Sequence, residues 1–100
     1  MRYDFFVTGK RGIRLEVRQD IPDKGDKFPT IIMVPGFGVD LHEYGLFDDL
    51  STDLVKNGFA TWRFSFSGTG NSAGDFQETT IESQVEELRL IIGALVKDRF

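Results

Sequence analysis

The sequence has no cysteine, which excludes disulfides, thiolate metal sites and a cysteine nucleophile together. It has one histidine, His42, and a single imidazole among scattered carboxylates is a poor metal-binding set. Neither a metal nor another cofactor is therefore expected. Basic residues are outnumbered, 12 Lys and Arg against 16 Asp and Glu, for a net charge of −4. That balance argues against a nucleic-acid groove, which needs clustered cations to displace counterions. No apolar run approaches the ~18 residues that a bilayer span requires, so no membrane contact is expected. The opening Met1-Arg2-Tyr3-Asp4 lacks the apolar stretch of a signal peptide, and a soluble, cytoplasmic chain is the resulting expectation.

What is present describes a globular domain. One hundred residues make one domain at most. Hydrophobic residues contribute 40% and charged residues 28%, which is ordinary for a folded chain and unlike a disordered one. Ten phenylalanines supply bulk for a core.

Residues 3–8 are aromatic and β-branched, and Gly9-Lys10-Arg11-Gly12 reads as a turn. Ile13, Leu15 and Val17 then alternate with Arg14, Glu16 and Arg18, a period of two that completes an antiparallel β-hairpin. Residues 22–27 form a polar loop. Residues 30–34 are apolar on both faces, as in a strand covered from two sides, and Pro35-Gly36-Phe37-Gly38 ends that strand. Leu46, Phe47, Leu50, Leu54 and Val55 recur at helical spacing up to a stop signal at Asn57-Gly58. Residues 59–66 read as the next strand. Thr79 and Glu82 have the spacing of a capping box. The helix they open carries an apolar stripe of Ile81, Val85, Leu88, Ile92 and Leu95, with Lys97 and Arg99 at its C-terminal end. A hairpin followed by parallel βαβα implies an α/β fold with right-handed crossovers.

Residues 68–75, Gly-Thr-Gly-Asn-Ser-Ala-Gly-Asp, match two active-site patterns at once. Gly70-x-Ser72-x-Gly74 satisfies the G-x-S-x-G of a nucleophile elbow, and Gly68-x-Gly70-x-x-Ala73 satisfies the dinucleotide pattern. Both mechanisms need a helix that starts at the glycines themselves. Here the strand ends near Phe66 and the helix signal begins only at Thr79, after Asp75-Phe76-Gln77-Glu78. Neither context is met. The loop reads as a structural connection that needs glycine for unusual backbone angles.

Residues 30–76, TIIMVPGFGVDLHEYGLFDDLSTDLVKNGFATWRFSFSGTGNSAGDF, resemble the N-terminal part of an α/β-hydrolase. The subgroup is that of small-ester and cinnamoyl esterases and serine-aminopeptidase-like enzymes. Its third strand ends in His-Gly-Phe-x-Gly, and its fourth reads Arg-Phe-Asp-Phe-Arg-Gly-x-Gly-x-Ser-x-Gly. The matching residues are Pro35-Gly36-Phe37 and Arg63-Phe64-Ser65-Phe66-Ser67-Gly68-Thr69-Gly70-Asn71-Ser72-Ala73-Gly74. Pro35, Ser65 and Ser67 depart from the family's His, Asp and Arg. The hairpin and the last helix also fit, so the resemblance covers essentially the whole chain.

This resemblance implies the N-terminal half of an α/β-hydrolase sheet, within a serine hydrolase acting on carboxylic esters or related acyl substrates. The family's nucleophile lies on the strand after the helix that ends near Phe100, and its acid and histidine come later. Residues 1–100 are thus expected to be a single partial domain that holds no triad residue and is inactive alone. The Phe37 backbone N–H is expected to donate to the oxyanion, with Gly36 and Gly38 shaping the substrate-binding turn. The local alternative is that these two glycines only permit a tight turn. His42 reads as a solvated imidazole beside a helix start rather than a general base. Asp48, Asp49 and Asp53 read as a helix's polar face, and Arg63 as structural, with no convergent set of partners. In the family the third strand lies between the fourth and the fifth. Residues 30–34 are therefore expected to be an exposed edge that pairs with the C-terminal half or self-associates. A non-catalytic interaction module using that edge is the competing reading.

Overall fold

Strands β1 (Arg2–Thr8) and β2 (Arg14–Asp20) pair antiparallel, in register from Arg2↔Asp20 to Thr8↔Arg14. The computed structural model describes residues 1–9 and 12–99. Lys10 and Arg11 of the expected turn, the Arg99 side chain and Phe100 lie outside the described residues. Strand β3 (Thr30–Met33), helix α1 (Leu46–Lys56), strand β4 (Ala60–Phe64) and helix α2 (Ile81–Arg99) follow. β4 runs parallel to β3 and antiparallel to β2, which gives the order β1-β2-β4-β3. The hairpin followed by parallel βαβα is present, and β3 forms an edge. β3 ends at Met33, one residue sooner than expected, because Pro35 closes the strand and leaves Val34 44% exposed. β4 is shorter than the expected 59–66, although Ser65 N–H still bonds to the Glu16 carbonyl at 3.1 Å.

Alternation along β4 decides what each face of the sheet does. Trp62, Phe64 and Phe66 join Leu15, Val17 and Ile91 of α2 in the core. Thr61, Arg63 and Ser65 point the other way and are nevertheless fully buried. Two of them meet α1 directly, Thr61 through Ser51 and Arg63 through Asp48. One face of the sheet is therefore an apolar core and the opposite face a buried polar layer.

Helix α1 stops as its sequence indicates. Gly58 N–H bonds to the Val55 carbonyl, Phe59 N–H to the Leu54 carbonyl, and Gly58 has φ +90°. These are the two bonds and the left-handed residue of a Schellman cap.

Helix α2 corrects two expectations. Its reciprocal cap uses Thr80 and Ser83, not Thr79 and Glu82: Ser83 N–H donates to Thr80 Oγ1 at 3.0 Å and Thr80 N–H to Ser83 Oγ at 2.9 Å. Its core face is Leu88, Leu90, Ile91, Ala94 and Leu95, whereas Ile81, Val85 and Ile92 are exposed. The helix carries apolar residues around more than one side, so spacing alone does not decide which side the sheet covers.

Candidate functional site

The expected site residues meet on one surface turn after β3. The Gly36 carbonyl accepts from Val39 N–H at 3.2 Å, which closes a four-residue turn. Gly38 occupies its third position with φ +76°, a left-handed conformation that glycine adopts without steric cost. Phe37, the second residue, is 70% exposed, and nothing among the described residues accepts its N–H. Gly36 N–H, by contrast, donates to Glu43 Oε2 at 2.8 Å. The turn is tied down beyond Asp40, where buried Leu41 donates its N–H to Ser65 Oγ at 2.9 Å. Ser65, which stands where the family carries Asp, thus connects the turn to β4. Ser67, at the family's Arg position, donates its hydroxyl to Glu87 of α2 at 2.7 Å.

The glycine loop packs beside this turn, and its hydrogen bonds join it to β2 and to the end of β4. Ser72 Oγ accepts from Glu16 N–H at 2.8 Å and donates to the Ser65 carbonyl at 2.7 Å. Asn71 N–H bonds to the Glu16 carboxylate, and Ala73 N–H to the Arg14 carbonyl. A side chain at Gly70 would lie 2.8 Å from Ser65 Oγ and 3.1 Å from Asp40 Cβ. The chain then forms a separate 3-10 turn at Phe76–Glu78, capped by Asp75, before α2 begins. Ser72 has neither an adjoining helix N-terminus nor a free hydroxyl, so its geometry is that of a β2–β4 clasp. Ser72→Ala strands a partly buried amide and carbonyl and should cost about 1–2 kcal/mol, read as a lower urea midpoint.

Phe76 completes the surface. Its ring centroid lies 5.0 Å from that of Phe37 at a tilt of 56°, a favourable aromatic arrangement.

Arg63 has the convergent partners that its sequence context did not reveal. Its guanidinium is fully buried, bonded to Asp48 Oδ1 and 3.4 Å from Asp20 Oδ2. Asp20 also accepts from Arg2 Nε at 2.8 Å and from Ser51 Oγ at 2.8 Å. Burial pushes the Asp20 carboxyl upward, but the Arg2 and Ser51 hydrogen bonds, with the Arg2 and Arg63 charges, outweigh it and hold it below its ordinary value. At Asp48 burial again acts upward, and bonds from His42 and Arg63 with the same two charges bring the net shift below normal. His42 Nδ1 lies 2.9 Å from Asp48 Oδ1 and 3.0 Å from Oδ2. Its side chain is 44% exposed, so the expected solvated histidine is half-exposed and hydrogen-bonded to Asp48. No serine is hydrogen-bonded to it among the described residues.

Glu16, Asp20, Glu43 and Phe76 are the site-building residues that sequence reasoning missed. Of the residues around them, Arg63 carried a signal, as the one charge within residues 59–66. Among the described residues no group of three or more carboxylates and imidazoles could hold a metal ion, and no helix is long and apolar enough to cross a membrane.

No family model matches the sequence, and no curated protein matches it by sequence. Solved structures do match. Est1E from Butyrivibrio proteoclasticus, with ferulic acid bound, superposes with a TM-score of 0.86 at 25% identity over 96% of this chain. DcsB, in complex with its substrate analogue, gives 0.78 at 26% identity over 95% of this chain. GrgF from Penicillium sp. sh18, an α/β hydrolase, gives 0.79 at 21% identity over 95%, a likeness of fold alone. The chain has the N-terminal part of the α/β-hydrolase fold. It spans 38% of the length of Est1E, 31% of DcsB and 32% of GrgF.

Proposed function

We propose that residues 1–100 are the N-terminal portion of a serine hydrolase for carboxylic esters or related acyl substrates. In this reading they supply one oxyanion donor, the Phe37 N–H, and no triad residue. The observation that carries it is the Phe37 amide itself. It lies without an internal acceptor on a glycine-framed turn at the end of a parallel strand, where this fold places one donor of its oxyanion hole. A backbone N–H held in advance needs no reorganisation as charge develops on the carbonyl oxygen. Gly36 and Gly38 frame that donor, and the nucleophile belongs to a strand outside these residues.

The test is direct. Residues 1–100 alone should hydrolyse an activated ester no faster than buffer. The coding sequence beyond Phe100 should provide a strand ending in G-x-S-x-G. Turnover by residues 1–100, or a stop codon directly after them, would count against this reading.

The edge position of β3 favours a second reading, a non-catalytic module that pairs through residues 30–34. An unpaired strand edge is a template for another strand, whether from the rest of the same fold or from a second copy. Concentration-dependent association in sedimentation velocity is its expected signature. A compact monomer at high concentration contradicts it.

A further inference from the structure

Three consecutive residues after the candidate oxyanion turn are left-handed: Glu43 with φ +48°, Tyr44 with φ +58° and Gly45 with φ +88°. Glycine adopts this region freely, but glutamate and tyrosine do so only at a cost, and such residues persist where their surroundings over-determine them. Tyr44 cannot supply that reason, because its side chain is 92% exposed. The backbone contributes part of it. Glu43 N–H bonds to the Asp40 carbonyl, and the Gly45 and Phe47 N–H groups both bond to the His42 carbonyl. The remaining partner is the Glu43 carboxylate, which reaches back seven residues to accept the Gly36 N–H at 2.8 Å.

We propose that Glu43 is a positioning residue for the oxyanion turn. By holding the Gly36 amide it fixes the direction of the turn at its first residue and leaves the next amide, Phe37 N–H, as the outward donor. The local sequence is consistent with that task. A Cβ at Gly36 would lie 3.2 Å from Glu43 Oε1, closer than an ordinary contact, so a glycine there keeps the carboxylate seated. A carboxylate accepting a backbone N–H makes a charge-assisted bond, stronger than a neutral pair. The left-handed run sets the angle from which Glu43 approaches. Ordering the donor in advance lowers the reorganisation that catalysis would otherwise require. This role rests on the oxyanion reading of Phe37, but the Gly36–Glu43 bond can be tested without turnover.

The experiment uses the 15N-labelled 100-residue chain with Glu43→Ala, Glu43→Gln and Glu43→Asp, each first shown to be folded by thermal melting. Hydrogen exchange at Gly36 and the residual dipolar coupling of the Phe37 N–H vector are measured. Glu43→Ala should speed Gly36 exchange about five- to tenfold, the change expected for one net hydrogen bond. It should also reorient the Phe37 vector while the sheet's couplings stay constant. Glu43→Gln keeps an acceptor at the same reach and should restore both readouts. Glu43→Asp is one methylene shorter and should not. Identical Gly36 and Phe37 values in wild type and Glu43→Ala would overturn the proposal, as would couplings that change throughout the sheet. If Phe37 is not the oxyanion donor, these readouts still behave as predicted and only kinetics fail, so the two failures are distinguishable.

Discussion

Replacing Arg63 with alanine should lower stability by about 3–5 kcal/mol, the usual effect of removing one partner from a buried ion pair. Small domains have a total of only about 5–15 kcal/mol, so a large unfolded fraction is expected in urea titration even at low denaturant. The loss comes chiefly from what remains. Asp20 has a side chain only 10% exposed, and without the guanidinium it keeps Arg2 and Ser51 alone as partners. Asp48 keeps His42. Removing acid and base together, as in Arg63→Met with Asp20→Asn, should recover a substantial part of the loss, because no uncompensated charge is then buried beside α1. The same layer sets an acid limb. Asp20 and Asp48 both have folded-state values below 3.8. Their contribution is therefore fully present above the unfolded carboxylate range and disappears as pH falls through 3.8 toward the folded values. Arg63→Met should flatten that limb. An unchanged acid slope would show that Arg63 does not act through these carboxylates.

Gly68→Ala is expected to be the other severe substitution. Gly68 has φ +79°, and a Cβ there would lie 2.3 Å from Phe76 N and 2.5 Å from Phe76 Cα. These are backbone atoms, so no rotamer change relieves the clash. Overpacking costs about 1–3 kcal/mol and the left-handed conformation about 1–2 kcal/mol more. The combined loss should be about 2–5 kcal/mol by urea denaturation. It should also displace Phe76, so that Phe37–Phe76 ring contacts vanish from NOE spectra. Gly58→Ala is the matched control. It has φ +90° but nothing within 4 Å of its Cβ, so only the backbone cost of about 1–2 kcal/mol applies. Equal losses at the two glycines would mean that close approach to Phe76 is not what selects Gly68.

These two positions also show where sequence reading succeeds and where it stops. The hairpin, the strand after it and the end of α1 are encoded locally: alternation from Ile13 to Val17, an apolar run before Pro35, and Asn57-Gly58. The structural nature of the glycine loop was also legible, because the distance from Phe66 to the next helix is a property of the sequence. The Arg63 layer was not, since its partners lie 43 residues away at Asp20 and 15 away at Asp48. The α2 face was misassigned for a related reason. Ile81, Val85 and Ile92 share helical spacing with buried residues, and only the position of the sheet separates them. The cap shifted by one because Thr79 and Thr80 are adjacent hydroxyls with equal local claims. Nothing in Glu43-Tyr44 signals left-handed backbone, which is held by bonds to the Asp40 and His42 carbonyls and by the reach of Glu43 back to Gly36.

The two serine-hydrolase readings of these residues separate most sharply in one kinetic comparison. In a protein where residues 1–100 are joined to a nucleophile-bearing strand, Phe37→Pro and Ser72→Ala are assayed side by side on an activated ester, at a temperature where both are folded. Phe37→Pro removes the proposed oxyanion donor at the second position of a turn, where proline is well tolerated, and that N–H has no internal acceptor to lose. It should lower kcat by about 10²–10³ with little change in KM, while Ser72→Ala keeps kcat. Loss of turnover in Ser72→Ala with an unchanged kcat in Phe37→Pro would show instead that the nucleophile lies in the glycine loop.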